Sequence, residues 1–576
     1  MKLTFLDYSL IIGFLVLSLV IGIITAKKSS KSAKSFFLSN QNMPWWLLGV
    51  SMVATTFAAD TPGLVTQLVR EKGGVSGNWV WWAQLLTGML TVFFYAKLWR
   101  KSGITTDLEF YELRYSGKAA SFLRGFRAIY LGLVFNVVIM AGVCLAGAKI
   151  ANILLGLTHL ETLLIASIIT VIYSSLGGLK SVLITDFIQF IIAMIGSVWA
   201  TVYIINLPEI GGINSLLTHP NVSGMLNILP DFNNSEALIT LFIIPLAVQW
   251  WSTWYPGAEP GGGGYIAQRM LAAKDEKNAT WAVLFFNFAH YALRPWPWIL
   301  VGLASLVIFP DLESINNAFP NLTDSIKGND VAYPAMMTYL PAGLIGIVLT
   351  SLIAAFMSTI STQLNWGASY IVNDFYKRFL KPEATEKEQV LIGRISTVAL
   401  MFLAGVLSFY IQSAKGIFDL ILQIGAGTGL LFILRWFWSR INPYSEIAAM
   451  VISFLIAVVF FINGKLETPW FLLAAHWQLV TGVIITTIGW IIVTLLTQPS
   501  DSKTLEKFNS LIFDSTSKFK NMHYKIGGFF SGVFGIYALL FCIGHLIYGN
   551  HTKAIISGVV VIISILILKK IWRKIS

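Results

Sequence analysis

Trp254-Tyr-Pro256-Gly-Ala-Glu259-Pro260-Gly-Gly-Gly-Gly264-Tyr265 lies inside an apolar stretch running from residue 236 to residue 268. No unbroken helix contains this segment. Proline removes a backbone donor and clashes with the preceding turn, and each interior glycine costs further stability. A second interruption reads Ser51-Met-Val-Ala54-Thr-Thr-Phe57-Ala-Ala-Asp60-Thr61-Pro62-Gly63, a polar cluster ending in a Pro-Gly break. At membrane depth, backbone without helical hydrogen bonds survives only where protein buries it or where it lines a wet cavity. A pair of ordinary Pro/Gly kinks would leave similar marks, because both residues are frequent in membrane helices. The placement of the breaks argues against that reading. The first opens the apolar spans of residues 44–206 and the second opens those of 236–438, so each begins a five-span half. Such paired breaks mark the inverted-repeat arrangement in which solute binds between them near the bilayer midplane.

The rest of the chain agrees with a polytopic membrane protein. Of 576 residues, 56% are hydrophobic and 12% charged, about half the charged share of a soluble domain. Apolar runs long enough to cross a bilayer number about fifteen. The expected organisation is a leading helix and cytosolic loop (1–43), the two halves, accessory spans (439–497), a cytosolic linker (498–525) and an extra C-terminal hairpin (526–576). The first run, Tyr8 to Ala26, precedes Lys27, Lys28, Lys31 and Lys34 and reads as a retained span. The net charge of +12 does not point to nucleic acid, because the basic residues cluster at the ends of apolar segments, where they orient a membrane protein. Loops at 27–43, 100–125, 374–387 and 498–525 are rich in Lys and Arg. Loops at 207–235 and 310–334 hold Glu209, Asp231, Asp311, Glu313, Asp324 and Asp330 against Lys327. The positive-inside rule therefore predicts an external amino terminus and a cytoplasmic carboxyl terminus, in the plasma (inner) membrane. Within the linker, Leu505, Phe508, Leu511, Ile512 and Phe519 among Lys, Asp and Ser predict an amphipathic helix in the interface. Cys144 and Cys542 are the only cysteines, which excludes a disulfide framework.

Chemistry concentrates at Ala355-Phe-Met-Ser358-Thr359-Ile-Ser361-Thr362-Gln, four hydroxyls on little more than one helical turn. A buried hydroxyl without a partner costs about 1–3 kcal/mol. Two solutions are open: back-bonding to carbonyls of the preceding turn, or a small hard cation that takes oxygen ligands. Asp186, at the start of an apolar span, and Asp60 and Glu259, at the breaks, are functional candidates because charge at membrane depth is costly. Asp186 could equally cap its helix at the interface. His290 and Arg294, one turn apart, suit either substrate contacts or structural pairing with Glu259 or a carbonyl.

Tyr173-Ser-Ser-Leu-Gly177-Gly178-Leu-Lys-Ser-Val-Leu-Ile-Thr185-Asp186-Phe-Ile-Gln189 resembles the signature of the sodium:solute symporter family, which includes sodium-coupled sugar, proline, iodide and sialic acid carriers. Gln268-Arg269-Met-Leu-Ala-Ala-Lys274 is similar to its cytosolic turn after the sixth core helix, and Ala355-Phe-Met-Ser358-Thr359 to its sodium motif. The likeness runs from about residue 5 to 500. It implies an all-α LeuT-type five-plus-five core with one leading and about four trailing helices. It also implies a shared sodium site made by the carbonyls of Ala54, Phe57 and Ala355 with the hydroxyls of Ser358 and Thr359. A second sodium site would use Asp186, Ser358, Ser361 and Thr362, giving two Na⁺ per solute. By similarity to the sugar carriers, substrate contacts would come from Asp60, Thr61, Trp81, Gln84, the 255–260 break with Glu259, and Gln423. The Pro256–Gly264 stretch departs from the sugar carriers' pattern there.

Aromatics beside amides and a carboxylate suit a polar solute with one apolar face, such as a sugar or polyol. An amino acid, carboxylate or organic cation is the alternative class. The expected mechanism is alternating access, with Na⁺ as the co-transported ion and no organic cofactor. A channel or solute-sensing receptor would share the helices, but a sensor needs a signalling domain and the linker is too short to be one. A membrane enzyme would need a catalytic constellation. No Ser–His–Asp order or metal-spaced His cluster is visible, and Gly261–Gly264 lacks the Lys-Ser/Thr of a nucleotide loop. The expected partners are a small polar solute and membrane lipid.

Overall fold

The computed structural model describes residues 3–29, 31–71, 73–253, 260–320, 328–411, 414–513 and 521–575. Among them no strand forms; Met43 and Ala273 make one isolated bridge. Among the described residues, twelve helices are long and apolar enough to cross a membrane. The leading helix α1 (Phe5–Ser29) is followed by the two halves of the first broken span, α2 (Trp45–Thr55) and α3 (Thr61–Arg70). Then come α4 (Gly74–Ser102), α5 (Gly117–Leu155) and α6 (His159–Ile205). The second half begins with α7 (Ser235–Ser252) and α8 (Gly264–Ala272) and continues through α9 (Glu276–Ile308), α10 (Leu344–Leu380) and α11 (Glu386–Ser408). It closes with α12 (Ala414–Gly425) and α13 (Gly429–Leu434). Beyond lie α14 (Pro443–Asn463), α15 (Ala475–Leu496), α16 (Ser502–Phe513), α17 (Met522–Ile547) and α18 (His551–Ile575).

Both breaks leave their mark on the backbone. Helix α2 stops at Thr55 and α3 starts at Thr61, with Pro62 in its first turn, where a missing N–H costs nothing. The Trp254–Glu259 part of the second break lies outside the described residues. Its exit is described: Gly261, Gly262 and Gly264 all hold positive φ, a region nearly closed to side chains with a Cβ.

Two apolar runs, 161–176 and 182–206, both lie within α6. At 47 residues, a straight helix would measure about 70 Å, more than twice the apolar thickness of a bilayer. Gly178 resolves this with φ 56° and ψ −160°, dividing α6 into two arms. A Cβ there would stand 2.6 Å from the Phe36 carbonyl oxygen. Helix α10 is anchored at its amino end by Asp7 of α1, whose carboxylate accepts from the amides of Gly343 at 2.8 Å and Gly346 at 2.9 Å. An anion at that end also matches the helix dipole.

The linker departs from expectation. Its helix α16 buries Phe508, Ile512 and Phe513 in protein rather than lipid. Phe508 packs on Phe110 and Trp436 at 5.8 and 5.9 Å, beneath the Arg114 guanidinium. Leu511 is half exposed, and Phe519 lies outside the described residues. A protein groove lined with aromatics offers the apolar stripe more dispersion contacts than a headgroup layer does. The segment Gln268–Lys274, expected as a turn, is helical through Ala272 and buried through Ala273, with Lys274 exposed.

Candidate functional site

The carboxyl end of α2 meets the middle of α10, and the four hydroxyls of α10 divide their bonds among three other elements. Thr359 donates to the Thr55 carbonyl at 2.9 Å, where α2 runs out of helical partners. Ser358 donates to Asp186 Oδ1 at 2.6 Å, reaching across to the second arm of α6. Thr362 shares a 3.0 Å hydrogen bond with Thr55 Oγ1. Ser361 alone turns back along its own helix, to the Ser358 carbonyl at 3.1 Å. The proposed ligands Ala54, Phe57, Ala355, Ser358 and Thr359 are all buried at this junction. The Ala54 carbonyl also accepts from the Phe57 amide at 3.1 Å.

Asp186 is not an interfacial cap. It is fully buried, and its second oxygen accepts from Ser51 of α2 at 2.5 Å. A residue that sequence reading left aside completes this cluster. Arg269 of α8, also fully buried, brings Nη2 within 3.9 Å of Asp186 Oδ2 and donates to Thr362 Oγ1 at 2.6 Å. It also donates to Ser51 at 3.2 Å and to Gln268 Oε1 at 2.8 Å. A guanidinium in this position supplies the charge that makes a buried carboxylate tolerable. Two half-helices made by the breaks, α2 and α8, and the hydroxyl face of the continuous α10 thus converge on one carboxylate.

Beside this junction lies a cavity of about 160 Å³. Asp60, Thr61, Trp81 and Gln84 line it, together with Thr359 and Gln363 of α10. His290 and Arg294 line it too. His290 Nδ1 lies 3.0 Å from Thr56 Oγ1, and Arg294 donates to the Val53 carbonyl and Thr56 Oγ1, each at 3.2 Å. The carbonyl pairing left open for Arg294 is therefore present, alongside its place in the wall. A π-turn over Ala289–Leu293, set just before Pro295, presents this face; such bulges recur at functional sites. Trp81 stacks on Tyr291 at 5.9 Å and meets His290 edge-on at 5.5 Å, which gives the cavity an aromatic wall.

Gln423 does not line the cavity. Ile417 and Ile421 of α12 do, and a residue two positions past Ile421 points about 200° around the helix. Its amide instead donates to Gln478 of α15 at 3.3 Å. Glu259 lies outside the described residues. On the other flank a narrow passage continues from Asp60 and Leu64 to Gln67, roofed by the Lys149–Asp330 ion pair at 2.8 Å.

Among the residues that line the cavity, Gln84 and Gln363 each carry a buried amide atom without a protein partner among the described residues: Gln84 Nε2, a donor, and Gln363 Oε1, an acceptor. Both side chains are buried. Native proteins rarely leave such groups unmade, and here both line a space that a ligand fits.

Comparison with known proteins places this geometry. Residues 36–453 match the sodium:solute symporter family. The chain is 25% identical over 448 residues to the sodium/glucose cotransporter of Vibrio parahaemolyticus, covering 74% of this chain and 79% of that one. It is 27% identical over 541 residues to the sodium/myo-inositol cotransporter of Homo sapiens, covering 86% and 73%. Its fold is similar to that of a Na⁺-coupled sialic acid symporter in a substrate-bound outward-open state, with a TM-score of 0.68 at 19% identity, over 87% of this chain and all of that one. The architecture is thus the all-α LeuT type, and the relatives are carriers rather than enzymes. With a matching span that covers both broken helices and the hydroxyl face of α10, the chain belongs to the sodium:solute symporter family.

Proposed function

We propose that this protein imports a small polar solute, of the sugar or polyol class, coupled to sodium. The observation that carries the reading is the pair of unpartnered amide atoms on Gln84 and Gln363, donor and acceptor, in a cavity with an aromatic wall. A hydroxyl-bearing ring satisfies both, since each hydroxyl donates and accepts, while its apolar face stacks on Trp81. The relatives named for glucose and myo-inositol support that class. Arg294 and Asp60 in the same wall favour, as a second reading, a zwitterionic or carboxylate-bearing solute.

One sodium would bind at the α2–α10 junction, through the carbonyls of Ala54, Phe57 and Ala355 and the hydroxyls of Ser358 and Thr359. A second would bind at Asp186, Ser358, Ser361 and Thr362. Arg269 already holds the Thr362 and Asp186 side of that cluster, so the second ion requires the guanidinium to withdraw. Coupling follows if ion and solute together favour one arrangement of the broken helices over the other. An inward potential adds about 2.3 kcal/mol per charge per 100 mV.

In this reading α6 crosses twice and each broken span once, giving about fifteen crossings. The halves are 44–206 and 236–438, flanked by 1–43, 439–497, 498–525 and 526–576. The amino terminus lies outside and the carboxyl terminus in the cytoplasm of a plasma-membrane protein. The test is sodium-driven uptake into proteoliposomes across a panel of sugars, polyols, amino acids and carboxylates. Saturable uptake of a sugar or polyol that requires a sodium gradient is expected. Uptake indifferent to sodium, or confined to amino acids, would reject it.

A further inference from the structure

The passage that leaves the cavity at Asp60 and Leu64 has two facing walls. On α3, Asp60, Gly63, Leu64 and Gln67 share one face of the helix, at i, i+3, i+4 and i+7. Gln67 donates to Glu71 Oε1 at 2.8 Å, which carries this polar stripe to the end of the half-helix. On α5 the wall is Gly142, Leu145, Ala146, Lys149 and Ile150, kept low by Gly142 and Ala146. The free space between the walls is about 20 Å³, against about 160 Å³ in the cavity. That holds about one water, and no sugar or polyol passes.

The stopper is the loop between α9 and α10. Asp330 reaches from this loop to Lys149 of α5 at 2.8 Å, and the preceding residue, Asn329, accepts from Arg70 Nε of α3 at 3.0 Å. Arg70 is itself pinned to the end of α9, donating to Ser305 Oγ at 3.0 Å and to the Phe309 carbonyl at 2.8 Å. Gly63 lets the loop lie directly on α3, since a Cβ there would stand 3.2 Å from the Asp330 carbonyl oxygen. Both members of the ion pair line the passage. The Lys149 side chain is 5% exposed and that of Asp330 22%, so the pair stands where the passage meets solvent.

We propose that the Lys149–Asp330 pair is the outer gate of this carrier. Solute reaches the cavity along the polar stripe of α3 only after Asp330 leaves Lys149 and the loop lifts from Gly63. The inference rests on the transport reading and on its topology, which puts the 310–334 loop and the carboxyl end of α5 outside. An ion pair at a solvent boundary suits the task, because water solvates both charges when it opens and so offsets much of the lost attraction. The same pair buried deep in the protein would be too costly to break on every cycle.

Thiol labelling of the passage tests the gate in the full-length protein. Cys144→Ala with Cys542→Ser removes both native thiols, and Ala146→Cys adds one in the passage wall, one turn beneath Lys149. A membrane-impermeant cationic methanethiosulfonate is then added outside intact cells, without sodium or solute. Labelling should be slow in this parent and roughly fivefold faster after Lys149→Met, Asp330→Asn or Gly63→Ala. The first change removes a positive charge, the second a negative one and the third neither, so attraction of the reagent alone cannot speed all three. If Asp330→Asn fails to fold because it strands the Lys149 ammonium, the other two carry the test. Exchanging the pair, Lys149→Asp with Asp330→Lys, should restore the parent rate. Parent-rate labelling in folded Lys149→Met and Gly63→Ala overturns the gate, as does fast labelling in the parent itself. Opposite changes in the two charge variants report only the reagent's charge and overturn it too, and labelling that requires permeabilised cells shows a passage to the cytoplasm and does the same. Because access rather than uptake is read, failure of the gate and failure of sodium-driven transport are told apart.

Discussion

Replacing Thr359 by alanine removes one oxygen from the junction of α2 and α10. That hydroxyl donates to the Thr55 carbonyl at 2.9 Å while buried, a bond worth about 0.5–1.5 kcal/mol. The loss should lower the unfolding temperature slightly. With sodium bound the same oxygen would face a full charge, and an interaction with a charged group is worth about 1.5–3 kcal/mol. Sodium affinity should fall by the difference between the two, about 1–1.5 kcal/mol, or roughly fivefold to tenfold. Thr359→Ser keeps the oxygen and should retain near-native sodium dependence; Thr359→Val keeps the shape without it and should behave like alanine. The assay is the sodium concentration for half-maximal uptake into proteoliposomes, with thermal unfolding in parallel. Since Thr359 also lines the cavity, solute KM is measured at saturating sodium, where it should be nearly restored. If Thr359→Val keeps native sodium affinity, the ion does not bind there and the assignment of the junction fails.

Three further outcomes follow from the same geometry. Asp186→Asn should bring the Hill coefficient for sodium toward one. It also strands the buried Arg269 guanidinium, at a cost of about 3–5 kcal/mol, so Asp186→Asn with Arg269→Gln is the folded comparison; a coefficient unchanged in that pair refutes a second ion at Asp186. Gln363→Leu should raise the solute KM roughly threefold to tenfold by removing one hydrogen bond, and should not lower thermal stability, because it removes a buried acceptor that has no protein partner. Lost stability with native KM would refute the role given to that amide. Glu112 gives the pH test. Burial raises its carboxyl pKa, but hydrogen bonds from Arg378, Ser121 and Arg124 outweigh burial and hold it at about 2 against an ordinary 4.5. A depressed folded pKa stabilises above 4.5 and loses that contribution as pH falls toward 2. Glu112→Gln should therefore show a flatter unfolding temperature across this acid range than the wild type; identical slopes would refute the linkage.

What the sequence displayed and what it hid divide along physical lines. The helix breaks were visible because proline and glycine act through the local backbone, and Pro62 and the Gly261–Gly264 run need no partner to stop a helix. The membrane spans were visible because lipid enforces composition over some twenty residues. Arg269 was hidden because it sits in a segment that resembles the family's cytosolic turn. Only the folded helix α8 shows its guanidinium reaching Ser51, Thr362 and Asp186. A signal was available in Gln268-Arg269, a polar pair on an otherwise apolar run directly after the break, where a half-helix starts at membrane depth. Gln423, expected from the resemblance to sugar carriers, faces α15 for a related reason: the phase of the folded helix decides which neighbour an amide meets. The phase of α16 likewise turned Phe508 to the protein.

The four hydroxyls of α10 can now be judged by where each one goes. Back-bonding within the helix explains Ser361 alone. Ser358, Thr359 and Thr362 send theirs to α6, to the open end of α2 and, through Thr362, to α8. A merely structural hydroxyl is satisfied most cheaply by a carbonyl one turn away, which moves with it. Bonds that cross to two half-helices and to a buried carboxylate last only while those elements hold their present positions. If α2 or α8 tilts, Thr359 loses the Thr55 carbonyl, Thr362 loses Arg269, and an oxygen-rich hollow opens between α2, α6 and α10. Sodium ions are suited to fill such a hollow, since they accept oxygen ligands of mixed origin where a second helix would demand shape. In the proposed reading, the same atoms that now tie these elements together would become sodium ligands. Such an exchange would make the position of the broken helices depend on the ion.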